Sequence, residues 1–549
     1  MKQKKILSNF LEIWKTIASH YGISWKPSFI QWDLPSKVSA DFSLTLALPI
    51  SYKTKQNPQK IAEEIAKNFD HSSLELLITE HGYINFRFPL NYHQDFLWET
   101  YQTEGKNLHG KKKNIKLNIE YVSANPTGYL HLAHFRHAVI GDTLANVYQF
   151  LGYDVIREYY INDRGGQILS LIKSVYFFYC QFQGIASHQE EKIEYLGKSS
   201  QEIAKILIEK WGNKYIDRDL NNEELIVWKK EILEIILVKI RRDLAKCGIN
   251  FDIWFSETSL YEKNKGLELL NELKAKDLIY FQSGATFFRS SLSGDEKDRV
   301  IIKQGEDYTY FFSDILYHRN KLERSDKIIN VWGADHHGYI GRIKGACQLL
   351  DYKPENIQII LVQVVNLLDK EGKNGKFSKR LGNTIDLEEA LSYLDINQLK
   401  FFLLEKEPDQ PLSINVDLLK ENQKKTRLYY IQYAHARCHQ IFQKAQEKNI
   451  EKISSNIDLL REEGERKIFN LLIRFSFILE NIIEENKSHY LINYLYELAR
   501  NWQIYYQNNI ILDSENLELT SQKLLLVKNI QIILKLGLEL IGIEAPNRM

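Results

Sequence analysis

Between residues 115 and 161 the apolar period of the chain runs from two to three or four and back to two, and this switch restricts the fold more than any other stretch. Ile115, Leu117, Ile119 and Tyr121 alternate with Lys116, Asn118 and Glu120, which predicts a strand with one strongly apolar face. A turn with Asn125, Pro126, Thr127 and Gly128 follows. From His131 to Leu151 the residues Leu132, Phe135, Val139, Val147 and Phe150 recur mostly at three or four, the spacing of an amphipathic helix, which Gly152 and Asp154 end. Val155 to Ile161 reads as a second strand. A strand, helix, strand unit of this length is a parallel crossover, the building block of a doubly wound sheet. Further strands are expected at Lys327 to Gly333 and Ile357 to Val365. Residues 168–300 read as a mainly helical insertion with strand-like pieces near Leu278 to Arg289 and Val300 to Ile302.

A chain of 549 residues exceeds what one core usually organises. The expected fold is multidomain: an N-terminal α+β domain over 1–110, a doubly wound, Rossmann-like α/β catalytic domain over 111–400, and a C-terminal all-α helical bundle over 401–549. In the first domain Asp41 to Pro49 suits strand or helix, Pro58 to Asn68 a helix, and Gly82 to Phe88 a strand. Lys106 to Lys113, polar and basic, suits a linker, and after about residue 400 no strand is expected. With 44% hydrophobic and 26% charged residues the composition is globular, and a net charge of +1 supplies no global field for nucleic acid, so any RNA contact must be local. Cys180, Cys247, Cys347 and Cys438 lie too far apart for a structural zinc site and read as reduced, packed thiols. Asn9, Glu12 and Lys15 interrupt the opening apolar run, so no secretory signal is expected, and the expected location is the cytoplasm.

Two strings carry chemistry. TGYLHLAH lies between the first strand and the first helix of the α/β unit, where helix N-termini offer free N–H groups to phosphates. His131 and His134, three apart, can face one ligand from the first helical turn and stabilise charge building on an α-phosphate. GKNGKFSKRLGNT at 372–384 brings Lys376 and Lys379 on a loop with Gly372, Gly375 and Gly382, suited to a triphosphate. Each string alone suits a solvated surface; together, in this order, they resemble the two signatures of class I aminoacyl-tRNA synthetases. The resemblance narrows to the arginyl-tRNA synthetase family through IEYVSANPTGYLHLAHFRHAVIGD at 119–142 and GYDVIREYYINDRGGQI at 152–168. EKDRV at 296–300, YTYFFSDILYHRNKLER at 308–324 and VWGADHHGYIGRI at 331–343 extend it, as do YYIQYAHAR at 429–437 and APNRM at 545–549.

The resemblance implies ATP-dependent activation of L-arginine and its transfer to the 3′-terminal adenosine of tRNA(Arg), with bound tRNA needed even for the first step. It implies that Glu120 and Asp314 accept the guanidinium, that Tyr310 lines the pocket, and that Ser123 and Asn125 hold the amino acid's polar head. The alternative for Asp314 is a helix cap. Lysine and citrulline, which leave pocket carboxylates unpaired, should be poor substrates. Leu132, Ala133, Gly333, His336, His337, Phe377 and Ser378 are expected at ATP, with Mg²⁺ held mainly by the triphosphate and water, and no zinc or prosthetic group. Asp335, His336 and His337 would otherwise suit a metal phosphoesterase, but no matching ligand set accompanies them. For RNA, Lys424, Lys425 and Arg427 stand beside Tyr433, His435 and Arg437, a mixture of phosphate-binding and base-stacking groups, although several neighbouring tyrosines suit a core equally well. The resemblance adds Arg548 and Met549 at the anticodon loop and Tyr83 and Asn85 at the tRNA elbow, and a monomer is expected.

The chain departs from the family pattern at Ala133, where glycine is usual and allows close approach to adenine. Phe377 stands for methionine, and ADFSLTLAL at 40–48 departs from the first domain's common pattern. Two other readings therefore stay open: a catalytically impaired relative that binds tRNA or arginine, and a class I synthetase for another amino acid.

Overall fold

The computed structural model describes residues 2–32, 34, 38, 40–69, 74–185, 193–216, 220–305, 307–368, 386–415, 426–450 and 452–549. Two compact units result, one of residues 111–423 and one of residues 1–110 with 424–549. In the first, five parallel strands form a sheet in the spatial order 357–362, 327–333, 116–120, 154–161, 253–256. The chain starts in the centre at Lys116–Glu120, moves outward through Asp154–Ile161 to Ile253–Ser256, then returns to the other side of its first strand. The order reverses between Lys116–Glu120 and Lys327–Gly333, and ligands of such sheets bind at that crevice.

The first crossover forms as its periodicity predicts, with helix Leu132–Phe150 between the two strands. Gly141 lies inside this helix because a Cβ there would collide with the ring of Tyr121, so close packing on the strand end outweighs glycine's poor helix propensity. Arg136, fully buried, donates to the carbonyls of Gln363 (2.9 Å), Gln410 (2.8 Å) and Glu407 (2.9 Å) and so fastens the helix start to two loops.

Three expectations need correction. Ile253–Ser256, inside the expected insertion, is the edge strand of the main sheet; four half-buried residues between long helices show no period of their own. The run 357–365 is two strands, Ile357–Val362 and Val365–Leu368. Strands also continue past residue 400, because Leu412–Asn415, with Leu412 and Ile414 buried, pairs in parallel with Val365–Leu368. The strand-like pieces at 278–302 do form an antiparallel sheet, of Ile279–Gln282, Ala285–Phe288 and Arg299–Ile302.

In the other unit, a four-stranded antiparallel sheet takes the order 30–31, 42–44, 84–87, 75–78. The ambiguous segment after Asp41 is both things in turn, strand Phe42–Leu44 and then helix Ala47–Thr54. Trp14, Phe42 and Phe86 form its core with Ile473 and Phe477 of helix Glu463–Glu485. Asp41, almost fully buried, accepts from Arg466 Nη2 (2.7 Å) and Nε (3.0 Å), Asn470 Nδ2 (2.7 Å) and the Phe88 N–H (2.6 Å). Helices Arg427–Glu447, Glu463–Glu485, His489–Asn508 and Leu517–Leu540 pack on one another. No helix among the described residues is long and apolar enough to cross a membrane.

Candidate active site

Glu120 is the last residue of the central strand and lies in register with Asn330 on the strand across the switch point. Directly after it Val122 and Ser123 take left-handed backbone, φ +68° and +38°. That is strained for any side chain and most of all for β-branched valine. The Ser123 hydroxyl accepts the Tyr160 N–H (3.0 Å), which holds this turn against the neighbouring strand. Asn125 is exposed, with its Oδ1 3.3 Å from Asn162 Nδ2.

The chain then reaches His131, the N-cap of helix Leu132–Phe150. His131 Nδ1 accepts the His134 N–H, and His134 Nδ1 accepts the His131 N–H, both at 3.4 Å. The rings stack with centroids 3.5 Å apart. Because Nδ1 of each ring is an acceptor, the proton of the neutral imidazole sits on Nε2 and is free for a ligand. Burial lowers the pKa of both, and in His134 the neighbouring His131 and His137 lower it further, so near pH 7 the pair acts as neutral donors. Ala133 is half-buried at the second position of this helix, and the Leu132 side chain turns into the core. On the far side, His131 forms an antiparallel bridge with Asp386, and the Leu387 N–H bonds the Leu130 carbonyl (2.9 Å). Lys376, Phe377, Ser378 and Lys379 lie outside the described residues.

Helix Tyr310–Arg324 points a row of polar groups at the same crevice. Thr309 caps it, so Asp314, a turn further on, is no cap. Asp314 Oδ2 accepts from the Tyr339 hydroxyl (2.8 Å). Its carboxyl is pushed up to about 7 by burial, opposed by that hydrogen bond, with the charges of Glu120 and Glu257 adding to the rise. Tyr310 is 62% exposed, and its hydroxyl would be 3.1 Å from a Cβ at Gly165, whose φ is +86°. Gly333 ends its strand where a Cβ would meet the Asp335 carboxylate. His336 and His337 follow it, exposed. Among the described residues no three His, Cys, Asp or Glu side chains gather as metal ligands.

Several groups here have no sequence motif of their own. Lys321, fully buried, donates from Nζ to Glu120 Oε2 and to Asn330 Oδ1, both at 2.6 Å. Asn330 Nδ2 lies 2.8 Å from His318 Nε2, and His318 Nδ1 lies 2.8 Å from the Asp314 carbonyl. Glu257, 4% exposed, adds a third carboxylate, raised by burial and hydrogen-bonded by Ser313 and Tyr160. A usable signal existed for Lys321 and Asn330: a lysine at helical spacing on the apolar face of 310–324, and an amide inside the apolar strand IINVW.

In the other unit, Tyr429 stacks on Tyr433 (5.8 Å, 10°), and the Arg437 guanidinium lies over the Tyr433 and Tyr506 rings at 4.5 and 4.4 Å. Arg427 lies over Tyr496 (4.7 Å) and donates to Asn493 (2.8 Å). Gln432 donates to the Glu544 carbonyl, which ties the segment before Arg548 and Met549, both exposed, to helix Arg427–Glu447. Tyr83 is half-buried in the turn after Thr79. Of the other two residues expected at RNA, Asn85 is 8% exposed, on an inner strand, and His435 is 2% exposed with Nδ1 2.9 Å from the Pro546 carbonyl. Lys424 and Lys425 lie outside the described residues.

Three family models match successive stretches of the chain. Residues 7–88 match the arginyl tRNA synthetase N terminal domain, 97–443 the class I (R) tRNA synthetase catalytic domain, and 431–549 the DALR anticodon binding domain. The chain is 37% identical over 521 residues to the arginine–tRNA ligase of Listeria monocytogenes, covering 93% of each. It is likewise 37% identical over 531 residues to arginine–tRNA ligase 2 of Bacillus thuringiensis, covering 95% of each. The Thermus thermophilus arginyl-tRNA synthetase structure shares the fold, with a TM-score of 0.74 at 19% identity over 98% of this chain and 99% of that one. With three matched domains and relatives 37% identical over 93% to 95% of its length, the chain belongs to the arginyl-tRNA synthetase family.

Proposed function

We propose that this member of the family loads arginine onto tRNA(Arg) with the groups gathered at the switch point. The arginine carboxylate attacks the ATP α-phosphate to give arginyl-adenylate and pyrophosphate, and a ribose hydroxyl of the terminal adenosine then takes the arginyl group. Glu120 and Asp314 receive the guanidinium, Tyr310 closes the side-chain pocket, and Ser123 and Asn125 orient the polar head. His131 and His134 donate from Nε2 to the phosphoryl oxygens as charge builds, a contribution of the electrostatic kind that usually dominates. Lys376 and Lys379 add positive charge at the triphosphate, and Ala133, Gly333, His336, His337, Phe377 and Ser378 line the nucleotide. Mg²⁺ neutralises triphosphate charge and is held mainly by the phosphates and water. No side chain forms a covalent intermediate.

The observation that supports this most is the nearness of two carboxylates, Glu120 at the carboxyl end of the central strand and Asp314, in the domain where the next helix starts at the His131 and His134 pair. For tRNA, Tyr433, Arg437, Arg427, Lys424 and Lys425 with Arg548 and Met549 take the anticodon loop, and Tyr83 takes the elbow. We place the protein in the cytoplasm, as a monomer. Pyrophosphate exchange with tRNA(Arg) present tests the substrate. Arginine should support it while lysine, glutamine and cysteine should not, and exchange with one of those three in place of arginine would refute the pocket assignment.

A further inference from the structure

The buried groups behind the pocket make one directional chain. Lys321 spends one ammonium proton on Glu120 Oε2 and another on Asn330 Oδ1, and its charge lies 4.2 Å from the Tyr317 ring centroid. Since Asn330 accepts through Oδ1, its Nδ2 donates to His318 Nε2. His318 must then carry its proton on Nδ1 and donate to the Asp314 carbonyl. Burial and the nearby Lys321 charge push the His318 pKa well below its usual value, in keeping with a neutral ring of one fixed tautomer. Every link is buried, and the two ends are the two residues that receive the guanidinium in the reading above.

We propose that Lys321 is a positioning residue that sets arginine specificity: through Asn330 and His318 it fixes Glu120 relative to the backbone of Asp314. Lys321 also occupies one oxygen of Glu120, leaving Oε1 for substrate. The guanidinium must therefore bridge Glu120 Oε1 and Asp314 at a set spacing, which suits a planar fork and not the point charge of an ammonium. Stability alone does not explain a lysine here, since a buried ion pair is commonly no more stable than apolar groups of its shape.

The inference rests on the assignment of Glu120 and Asp314 to the guanidinium, and the experiment separates the two. KM for arginine and for ATP is measured in tRNA-dependent pyrophosphate exchange for the full-length wild type, Lys321→Met, Lys321→Arg, Asn330→Ala and Glu120→Gln. Groups that orient a binding residue are worth about 10- to 100-fold in affinity. Lys321→Met should raise KM for arginine about tenfold or more with KM for ATP within about twofold, and Lys321→Arg should recover most of the loss. Unchanged KM for arginine, equal rises in both constants, or Lys321→Arg no better than Lys321→Met would overturn the proposal. If Lys321→Met does not fold, Asn330→Ala decides: it keeps the ion pair and cuts the chain, and KM for arginine should rise about threefold or more, no rise refuting the idea. Unaltered arginine KM in Glu120→Gln would instead sink the pocket assignment itself.

Discussion

Replacing Asp314 with asparagine removes one pocket charge while keeping the side chain's size and its contact with Tyr339. In the empty pocket the carboxyl titrates at about 7, held up first by burial. On the proposed assignment arginine binds the ionised form, so protons compete with substrate. One pH unit below that value only about a tenth of the molecules are ready, and kcat/KM for arginine should fall about tenfold per unit towards acid. His131 and His134 are both lowered, and His137 lies at about 4, so their titration falls at more acid pH than this limb. In Asp314→Asn a charge-assisted hydrogen bond is lost, about 1.5 to 3 kcal/mol, or roughly 10- to 150-fold in kcat/KM above pH 7. The acid limb should vanish with it. Arginine-dependent pyrophosphate exchange between pH 5.5 and 8.5, with saturating ATP and tRNA, reads both effects. A variant within about threefold of wild type, or one that keeps the limb centred near 7, would refute the reasoning.

Other perturbations have equally definite outcomes. His131→Ala or His134→Ala should lower kcat about 10²- to 10³-fold with little change in arginine KM, measured under saturating substrates; a KM effect alone would contradict the phosphate role. Asp41→Ala leaves Arg466 without its buried partner and should cost about 3 kcal/mol in denaturant unfolding, at the low end for such pairs because Arg466 keeps some water; a loss under about 1 kcal/mol would count against it. Ala133→Gly should lower KM for ATP a few-fold, by allowing closer approach, and should slightly lower thermal stability, since glycine costs up to about 1 kcal/mol in a helix. Equal ATP KM in both forms would show that the methyl group is no obstacle.

The catalytic crossover was legible because strand and helix periods differ and each segment buries one face. Helix Leu132–Phe150 and strand Lys327–Gly333 fall where the pattern predicts them. Ile253–Ser256 and Leu412–Asn415 escaped because four residues contain too few alternations to outweigh their surroundings. At the site, the spacing of His131 and His134 was readable, whereas their reciprocal capping and shared tautomer depend on backbone geometry. Lys321 and Asn330 belong to different elements: the sheet register sets Asn330 opposite Glu120, and Lys321 reaches both from helix Tyr310–Arg324. His435 shows the opposite limit: a polar residue in a recognisable string is as readily an internal hydrogen-bond partner as a surface contact.

The account stands on charging itself. Purified protein given ATP, Mg²⁺, radiolabelled arginine and tRNA(Arg) should form arginyl-tRNA at many turnovers per enzyme, with lysine inactive in the same reaction. Protein that binds tRNA(Arg) yet forms no arginyl-tRNA would contradict it and would favour a binding role without catalysis.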